Sequence, residues 1–333
     1  MKMLLIEDLQ ALSIGAAILG SGGGGGTSLP MRVTSHLLQQ GREISLISVD
    51  ELEDDDLVVP IGFMGSPLVA LEKLPSGLEA QLLLEAIRKH YPGRRIVLLP
   101  AEIGGGNAFT PLWVAALHQL PVLDADSIGR AFPKLPMSVL NLHGISPSPV
   151  FLADSDGHSQ LFFAENADEV EREARKICVS MGSCALAALY LMSGKVAQTR
   201  VIAGSISRAI AIGTNPRGHG RKLTSGIIDT IDYSMERGFL KGSVCLKEED
   251  GGVVVVHFVN EYLAATREGL VIAQTPDIIT LLDEQTSQTI STPELKWGLR
   301  VDLVALPAPA IWHTQQGLAL VGLNQMGVDI CSS

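Results

Sequence analysis

The strongest constraint on the fold is the alternation of short β-branched runs with amphipathic helical stretches in the first half of the chain. Leu57–Phe63 and Arg95–Pro100 have the length and composition of buried strands, and helical periodicity lies between them. Such an order builds a mostly parallel sheet with right-handed crossovers. The sequence therefore predicts a layered α/β N-terminal domain with a mostly parallel or mixed sheet. The remaining predicted strands are Ile44–Val49 and Pro121–Asp126, and the predicted helices are Leu78–Tyr91 and Thr110–Gln119.

The second half of the chain has a different texture. A helix predicted from Asn166 to about Met192 separates the halves, and beyond Gly194 short apolar strands alternate with Gly, Asp and Pro. Only Ser205–Gly213 and Ser225–Gly238 look helical there. We therefore expect an N-terminal domain at residues 1–168 and a second, β-rich α+β domain at residues 169–333. Apolar strand edges in this second domain make a homo-oligomer reasonable.

Charge and hydropathy exclude several classes of protein. The net charge is −11, from 25 Lys and Arg against 36 Asp and Glu, which argues against a nucleic-acid partner. No apolar run approaches the roughly 20 residues that a transmembrane helix needs, and the first residues lack the features of a signal peptide. A cytoplasmic protein without membrane contact is expected. The four cysteines have no metal-ligand spacing, and Cys184 is interpreted as part of a packed small-residue helix.

Five consecutive glycines, Gly22 to Gly26, are the most unusual local feature. A Walker loop would end in Lys followed by Ser or Thr, whereas Gly26 leads into Thr27 and Ser28 without a lysine. A dinucleotide fingerprint would follow a strand, but the preceding segment has helical periodicity. No nucleotide cofactor is therefore expected. A flexible hinge and a ligand-binding loop of exposed N–H groups both remain open at this point.

Carboxylates follow the predicted strands of the first half. Glu102 comes directly after Arg95–Pro100, while Asp124 and Asp126 lie on one side of an extended segment and Arg130 follows them. Carboxylates that meet at neighbouring strand ends have raised pKa values or share a cation. The candidate catalytic residues are therefore Glu102, Asp126 and Asp124. A divalent metal such as Mg²⁺ would suit this cluster, and whether one is bound stays open.

A structural explanation of the same residues is also open. In that case Arg130 pairs with one of the two aspartates, and Glu102 caps the helix that follows it.

Eight segments, taken in order along the chain, resemble the S-methyl thiohydantoin desulfurase family. In the first half these are "LGSGGGGG", "IGFMGSPLVALEKLPSG", "AEIGGGNAFTPLWVAA" and "VLDADSIGRAFPKLPM". In the second half they are "GFLKGSV", "HFVNEYLAA", "TPDIITLLD" and "LKWGLRVDLVALPAPAIW". The resemblance therefore runs through nearly the whole chain.

The resemblance implies hydrolysis at a small hydantoin-like ring, in which water replaces a methylthio group and methanethiol leaves. It also implies a hydantoinase-like protein as a partner. Glu102 or Asp126 would activate the water, and the amides of the glycine run, Asn107 or a metal would stabilise the developing charge. Carried over by motif, the residues that bind the substrate would be Ser21, Gly22, Gly23, Gly24, Gly25, Met64, Gly65, Ser66, Glu72, Asn107 and Arg130.

Two other functions compete with this hydrolase. One is a non-catalytic partner or ligand-binding subunit of a hydantoinase-like system, in which the acidic pocket serves assembly or sensing. The other is a metal- or nucleotide-binding regulator.

Overall fold

Two large sheets organise the computed structural model, which describes residues 2–66, 69, 73–236 and 239–328. The first is a mixed sheet in the order β1-β2-β5-β4-β3-β9-β7-β8, with β10 also paired to β3. Strands β2, β5, β4 and β3 are parallel to one another, and the other pairs are antiparallel. Its strands are β1 Lys2–Met3, β2 Ser45–Ile47, β3 Leu57–Gly65, β4 Ile96–Pro100, β5 Val122–Leu123, β7 Val150–Ala153, β8 Ser159–Phe162, β9 Cys184–Ala188 and β10 Met192–Ser193.

The second sheet is antiparallel throughout and runs in the order β16-β15-β14-β13-β12-β19-β17-β18. A separate two-stranded ladder pairs β6 Ala125–Asp126 with β11 Ile202–Ala203. The strands of the second sheet are β12 Arg221–Glu236, β13 Phe239–Lys247, β14 Val253–Val259, β15 Glu261–Arg267, β16 Leu270–Gln274, β17 Ile278–Asp283, β18 Thr289–Ile290 and β19 Arg300–Leu306.

Helices cover both faces of the first sheet. They are α1 Ile6–Leu19, α2 Ser28–Gln39, α3 Leu78–His90, α4 Thr110–His118, α5 Val139–Leu142, α6 Ala167–Ser180, α7 Gly194–Arg200, α8 Ser205–Thr214, α9 Gln315–Val321 and α10 Leu323–Met326. One core contains Leu12 and Trp113, and the other contains Leu152 and Trp312. Side chains of the second sheet, such as Leu282 and Leu263, join these cores, so the two sheets share buried apolar surface.

The α/β class and the β-rich second part predicted from the sequence are confirmed. The predicted strands of the first half correspond to β2, β3, β4 and the β5–β6 segment, and the predicted helices to α3 and α4. Asn166 caps α6 by accepting from the Glu169 N–H, as its position predicts. Strands β9 and β10 follow residue 169 in the chain, yet they pair within the first sheet. No helix of the described part is long and apolar enough to cross a membrane.

Two helix predictions are wrong. The helix from Asn166 ends at Ser180, and Cys184 begins strand β9, which is buried on both faces between β3 and β7. A short apolar run of this kind has no periodicity that separates a buried strand from a helix. The segment from Ser225 belongs to β12, which pairs with β13 and β19. Its cross-strand partners, which are distant in the chain, outweigh its local helical pattern.

Candidate active site

Four segments of the chain meet where the first sheet faces the second. They are the glycine run after α1, the loop after β4, the loop after β6 and the start of β15. Each supplies one element of an acidic site, and two of them lie at the ends of strands. Ligands of open α/β sheets bind in this region, beyond the carboxyl ends of the strands.

Glu102 is the half-buried carboxyl group of this site. Its Oε1 accepts a hydrogen bond of 2.9 Å from Nδ2 of Asn107. The pKa of Glu102 is raised to about 7. Burial is the largest cause, the hydrogen bond from Asn107 acts in the opposite direction, and the charge of Asp126 raises the pKa. A carboxyl group with this pKa is about half ionised near neutral pH. It can therefore accept a proton in a reaction at that pH.

Asn107 holds Glu102 against the end of β3. Its Oδ1 accepts from the Phe63 N–H at 2.7 Å, and its Nδ2 donates to the Phe63 carbonyl at 3.0 Å as well as to Glu102. Both ends of the amide are therefore engaged within the protein. This geometry gives Asn107 a positioning role, whereas the sequence analysis expected it to contact the substrate.

Replacing Asn107 by Asp is expected to raise the pKa of Glu102 above its value of about 7. The substitution keeps the shape but places a second carboxylate against Glu102, and like charges disfavour ionisation. Carbon-13 NMR titration of labelled glutamate carboxyl groups would measure this shift. Thr110→Val is the matched control, because its hydroxyl contacts Asn107 Oδ1 and not Glu102. An unchanged titration of Glu102 in Asn107→Asp would contradict the contact between Asn107 and Glu102.

Asp126 is fully buried, and its carboxylate is saturated. Its Oδ2 accepts from the backbone N–H groups of Ile103 at 2.9 Å, Ile128 at 3.1 Å and Gly129 at 2.7 Å, and its Oδ1 accepts from the Ser205 hydroxyl at 2.6 Å. The pKa of Asp126 is raised to about 6, because burial raises it more than these hydrogen bonds lower it. Asp126 is thus ionised at neutral pH. It joins the loops after β4 and β6 rather than presenting a free oxygen.

Asp124 caps helix α8. Its Oδ1 accepts from the backbone N–H groups of Ile206 at 2.9 Å and Ser207 at 3.0 Å, and its Oδ2 accepts from the Ser207 hydroxyl at 2.5 Å. Asp124 and Asp126 therefore both face the first turn of α8, in agreement with their predicted common side. A carboxylate at a helix N-terminus satisfies free N–H groups and interacts favourably with the helix dipole. These contacts give Asp124 a structural function.

Arg130 is fully buried and fixes the loop after β6 to the second sheet. Its Nη1 donates to the carbonyls of Pro276 and Asp277, each at 2.7 Å, and its Nε donates to the Ala131 carbonyl. The guanidinium also lies over the Phe132 ring, 4.5 Å from the centroid. Burial lowers the pKa of Arg130 to about 10, so the side chain remains charged at neutral pH.

The alternative in which Arg130 pairs with Asp124 or Asp126 is wrong. Its hydrogen bonds go to backbone carbonyls, and the second terminal nitrogen of the guanidinium, Nη2, is buried with no hydrogen-bond partner in the part of the chain that the structure describes. The charges that act on this guanidinium are those of Glu261, Asp277 and Glu102. Arg130 thus adds a positive charge to the site around Glu102.

Glu261 is the site residue that the sequence analysis missed. Glu261 begins β15 directly after Asn260, which has a positive φ of 56°. Only 3% of the surface of Glu261 is exposed. The Oε2 atom of Glu261 is buried and has no hydrogen-bond partner among the described residues. The pKa of Glu261 is raised to about 8. Burial is the largest cause, the charge of Glu102 acts in the same direction, and the charge of Arg130 acts in the opposite direction. An acidic residue inside the apolar strand "HFVNEYLAA" was the available signal.

The glycine run begins at an anchor point on the second sheet. Ser21 is fully buried; its hydroxyl donates to the Ile279 carbonyl at 2.7 Å and accepts from the Ile279 N–H at 3.1 Å. Its carbonyl accepts from the Tyr262 N–H at 2.6 Å, and the Gly22 carbonyl accepts from the Thr292 N–H at 2.9 Å. These bonds hold the run in place, which disfavours a hinge. Ser21 therefore anchors the loop to the second sheet.

The rest of the run forms a backbone wall beside Glu261. A side chain at Gly23 would place its Cβ 2.2 Å from Oε1 of Glu261. Gly24 has φ +72°, and its Cβ would lie 2.4 Å from the Gly104 carbonyl oxygen, because a second glycine loop packs against the first. Gly25 is exposed at the end of this wall. The glycines are thus required by the close approach of backbones and of the Glu261 carboxyl group.

Met64, Gly65 and Ser66 lie at the end of β3 and are bonded to the neighbouring segment. The Ser66 N–H donates to the Ser183 carbonyl at 2.9 Å, and the Cys178 thiol donates to the Met64 carbonyl at 3.3 Å. These contacts do not reach the Glu102 carboxyl group. Glu72, which the resemblance also places in the site, lies outside the described residues.

The donor set does not form a metal site in the part of the chain that the structure describes. No three His, Cys, Asp or Glu side chains are grouped there so that they could hold an ion. Asp126, whose charge acts on Glu102, accepts hydrogen bonds from N–H and O–H donors on both of its carboxylate oxygens. The acidic site consists instead of Glu102 and Glu261 with the charge of Arg130.

Comparisons with known proteins cover the whole chain. Residues 7–164 match the family described as "S-Me-THD-like, N-terminal domain", and residues 165–332 match "S-Me-THD-like, C-terminal domain". A crystal structure of a protein from Chromobacterium violaceum is similar, with a TM-score of 0.83 and 25% sequence identity over 98% of each chain. No curated protein matches the chain.

Proposed function

Because the chain belongs to the S-Me-THD-like family, we propose that it is a hydrolase that replaces the methylthio group of an S-methyl thiohydantoin by water. The observation that carries this proposal is the state of Glu102. Its carboxyl group is half-buried, accepts a hydrogen bond from Asn107, and has a pKa raised to about 7. Such a group is suited to removing a proton from water near neutral pH.

The ring carbon between the two nitrogens is the point of attack. Glu102 deprotonates a water molecule, and the oxygen bonds to this carbon, which carries the methylthio group. Negative charge then develops on the ring. The positive charge of Arg130, whose Nη2 has no hydrogen-bond partner among the described residues, stabilises this negative charge, and buried fixed charges act strongly because little water screens them. Methanethiol leaves, and the product ring carries a carbonyl group.

Asp126 supports the reaction from behind the site. Its bonds to the N–H groups of Ile103 and Gly129 fix the loops that carry Glu102 and Arg130. Both charged groups of the site therefore depend on one buried carboxylate. A small change in their separation would alter the rate, because proton transfer requires hydrogen-bond distance.

Purified protein is expected to release methanethiol from S-methyl thiohydantoins, and a thiol-reactive dye would measure the release. The unmethylated thiohydantoin and the corresponding hydantoin serve as controls, because neither carries a methylthio group. Opening of the hydantoin ring without methanethiol release would contradict the proposal. Saturable binding of the S-methyl compound without turnover would instead support a ligand-binding subunit.

A further inference from the structure

We propose that Glu261 is the acid partner of Glu102 and delivers a proton to the ring nitrogen as water adds to the neighbouring carbon. This inference rests on the proposed function and assigns the second half of its proton transfer. It also names the kind of bond that the site acts on, a carbon–nitrogen double bond whose carbon bears sulfur.

Two unsatisfied polar atoms point to this role. Oε2 of Glu261 and Nη2 of Arg130 are both buried, and neither has a hydrogen-bond partner in the described chain. Buried polar atoms in proteins are nearly always satisfied, and each exception requires an explanation such as a catalytic role. Arg130 follows β6 and Glu261 begins β15, so no local turn explains their arrangement. A ligand atom that accepts a proton and carries developing negative charge would satisfy both.

Space for the Glu261 carboxyl group is provided by the glycine run. A Cβ at Gly23 would lie 2.2 Å from Oε1 and 2.6 Å from Cδ of Glu261. The absence of that one side chain therefore lets a full glutamate reach the wall of the site. This close approach links the glycine run to the chemistry.

The charges around Glu261 favour one shared proton. The groups that face it are Glu102, from the loop after β4, and Arg130, from the loop after β6, and the glycine run adds no charge. Asp277 acts on Arg130 from the other side. Two carboxylates near one cation cannot both ionise easily, so the pair titrates in two coupled steps. The hydrogen bond that Asn107 donates to Glu102 stabilises its ionised form, whereas Oε2 of Glu261 has no partner among the described residues, so Glu102 is the base and Glu261 keeps the proton.

The proton balance of the reaction closes on this pair. Glu102 takes a proton from water as the oxygen–carbon bond forms, and the electrons of the carbon–nitrogen double bond move to nitrogen, which takes the proton of Glu261. The hydroxyl of the tetrahedral carbon then returns its proton to Glu261 as the carbon–sulfur bond breaks. Methanethiolate takes the proton held by Glu102 and leaves as methanethiol. Both carboxyl groups return to their starting states.

Glu261→Gln tests the assignment, because glutamine keeps the shape but cannot deliver a proton. We expect kcat/KM for methanethiol release to fall about 10²- to 10⁴-fold. In the wild-type protein the rate should fall at low pH as Glu102 is protonated and at high pH as Glu261 ionises, because both pKa values are raised. Glu261→Gln should lose the fall at high pH. Glu268→Gln, an exposed position after the same strand, is the matched control.

A second variant and a substrate-independent readout keep the proposal falsifiable. Gly23→Ala removes no titratable group but displaces the Glu261 carboxyl group, and it should also slow turnover. Carbon-13 NMR of labelled glutamate should show that the pKa of Glu261 falls in Glu102→Gln, because a facing negative charge is removed. Normal turnover and an intact fall at high pH in Glu261→Gln would overturn this role alone. Absence of methanethiol release by the wild-type protein would overturn the proposed function as well, even if the two carboxyl groups titrate as a pair.

Discussion

Glu102→Gln is expected to keep the fold and to lower methanethiol release about 10²- to 10⁴-fold, the contribution of a positioned general base. Glutamine has the size of glutamate, and its oxygen can still accept the hydrogen bond that Asn107 donates at 2.9 Å. It cannot take a proton from water. The rate of methanethiol release and circular dichroism would measure the two parts of this expectation.

The matched control is Glu85→Gln on the exposed face of α3, which should retain the wild-type rate. Unchanged turnover in Glu102→Gln would remove Glu102 from the mechanism. Unfolding of the variant would leave the rate uninterpretable by itself, and Asn107→Asp would then test the same base through its pKa.

The same substitution should also change how stability depends on pH. The pKa of Glu102 is raised in the folded protein from an ordinary value of 4.5 to about 7. A group with a raised folded pKa contributes stability below its unfolded pKa, and this contribution is lost as pH rises through the folded pKa. Wild-type stability should therefore fall between about pH 4.5 and pH 7, and the stability of Glu102→Gln should fall less over this range. Thermal melts across this window would measure the difference.

Asp126→Ala is expected to destabilise the protein by about 3 kcal/mol or more, because each unpaired buried N–H group costs about 1–3 kcal/mol. Three backbone N–H groups would lose their acceptor, those of Ile103, Ile128 and Gly129. Asp126→Asn should cost much less. Its oxygen can accept the same three bonds, and its NH₂ group can donate to the Ser205 hydroxyl.

Urea unfolding of the two Asp126 variants, together with their rates, separates a structural role from a catalytic one. Asp126→Asn should retain turnover, with the fall at low pH displaced to lower pH, because the charge of Asp126 contributes to the raised pKa of Glu102. Complete loss of turnover in a stable Asp126→Asn protein would contradict the structural role and support Asp126 as a base. Equal stability of the alanine variant and the wild-type protein would contradict the hydrogen-bond network.

Local sequence was informative where a segment's neighbours in space are also its neighbours in the chain. The helices α3 and α4 and the strands β3 and β4 follow from periodicity and β-branched content, and Asn166 was recognised as a cap. The strand β9 was not, because its environment is made by β3 and β7 rather than by adjacent residues. The strand β12 was not predicted either, because its environment is made by β13 and β19.

The sequence alone determined that Glu102 and Asp126 follow strands of an α/β sheet, because strand order places such residues at one edge. It also argued against a nucleotide loop, since the glycine run lacks both a lysine and a preceding strand. Only the tertiary structure brought Glu261 against Gly23, saturated Asp126 with N–H donors and left Nη2 of Arg130 without a hydrogen-bond partner among the described residues. The physical reason is that burial and facing charges set the pKa of a carboxyl group, and both arise from segments that are distant in the chain.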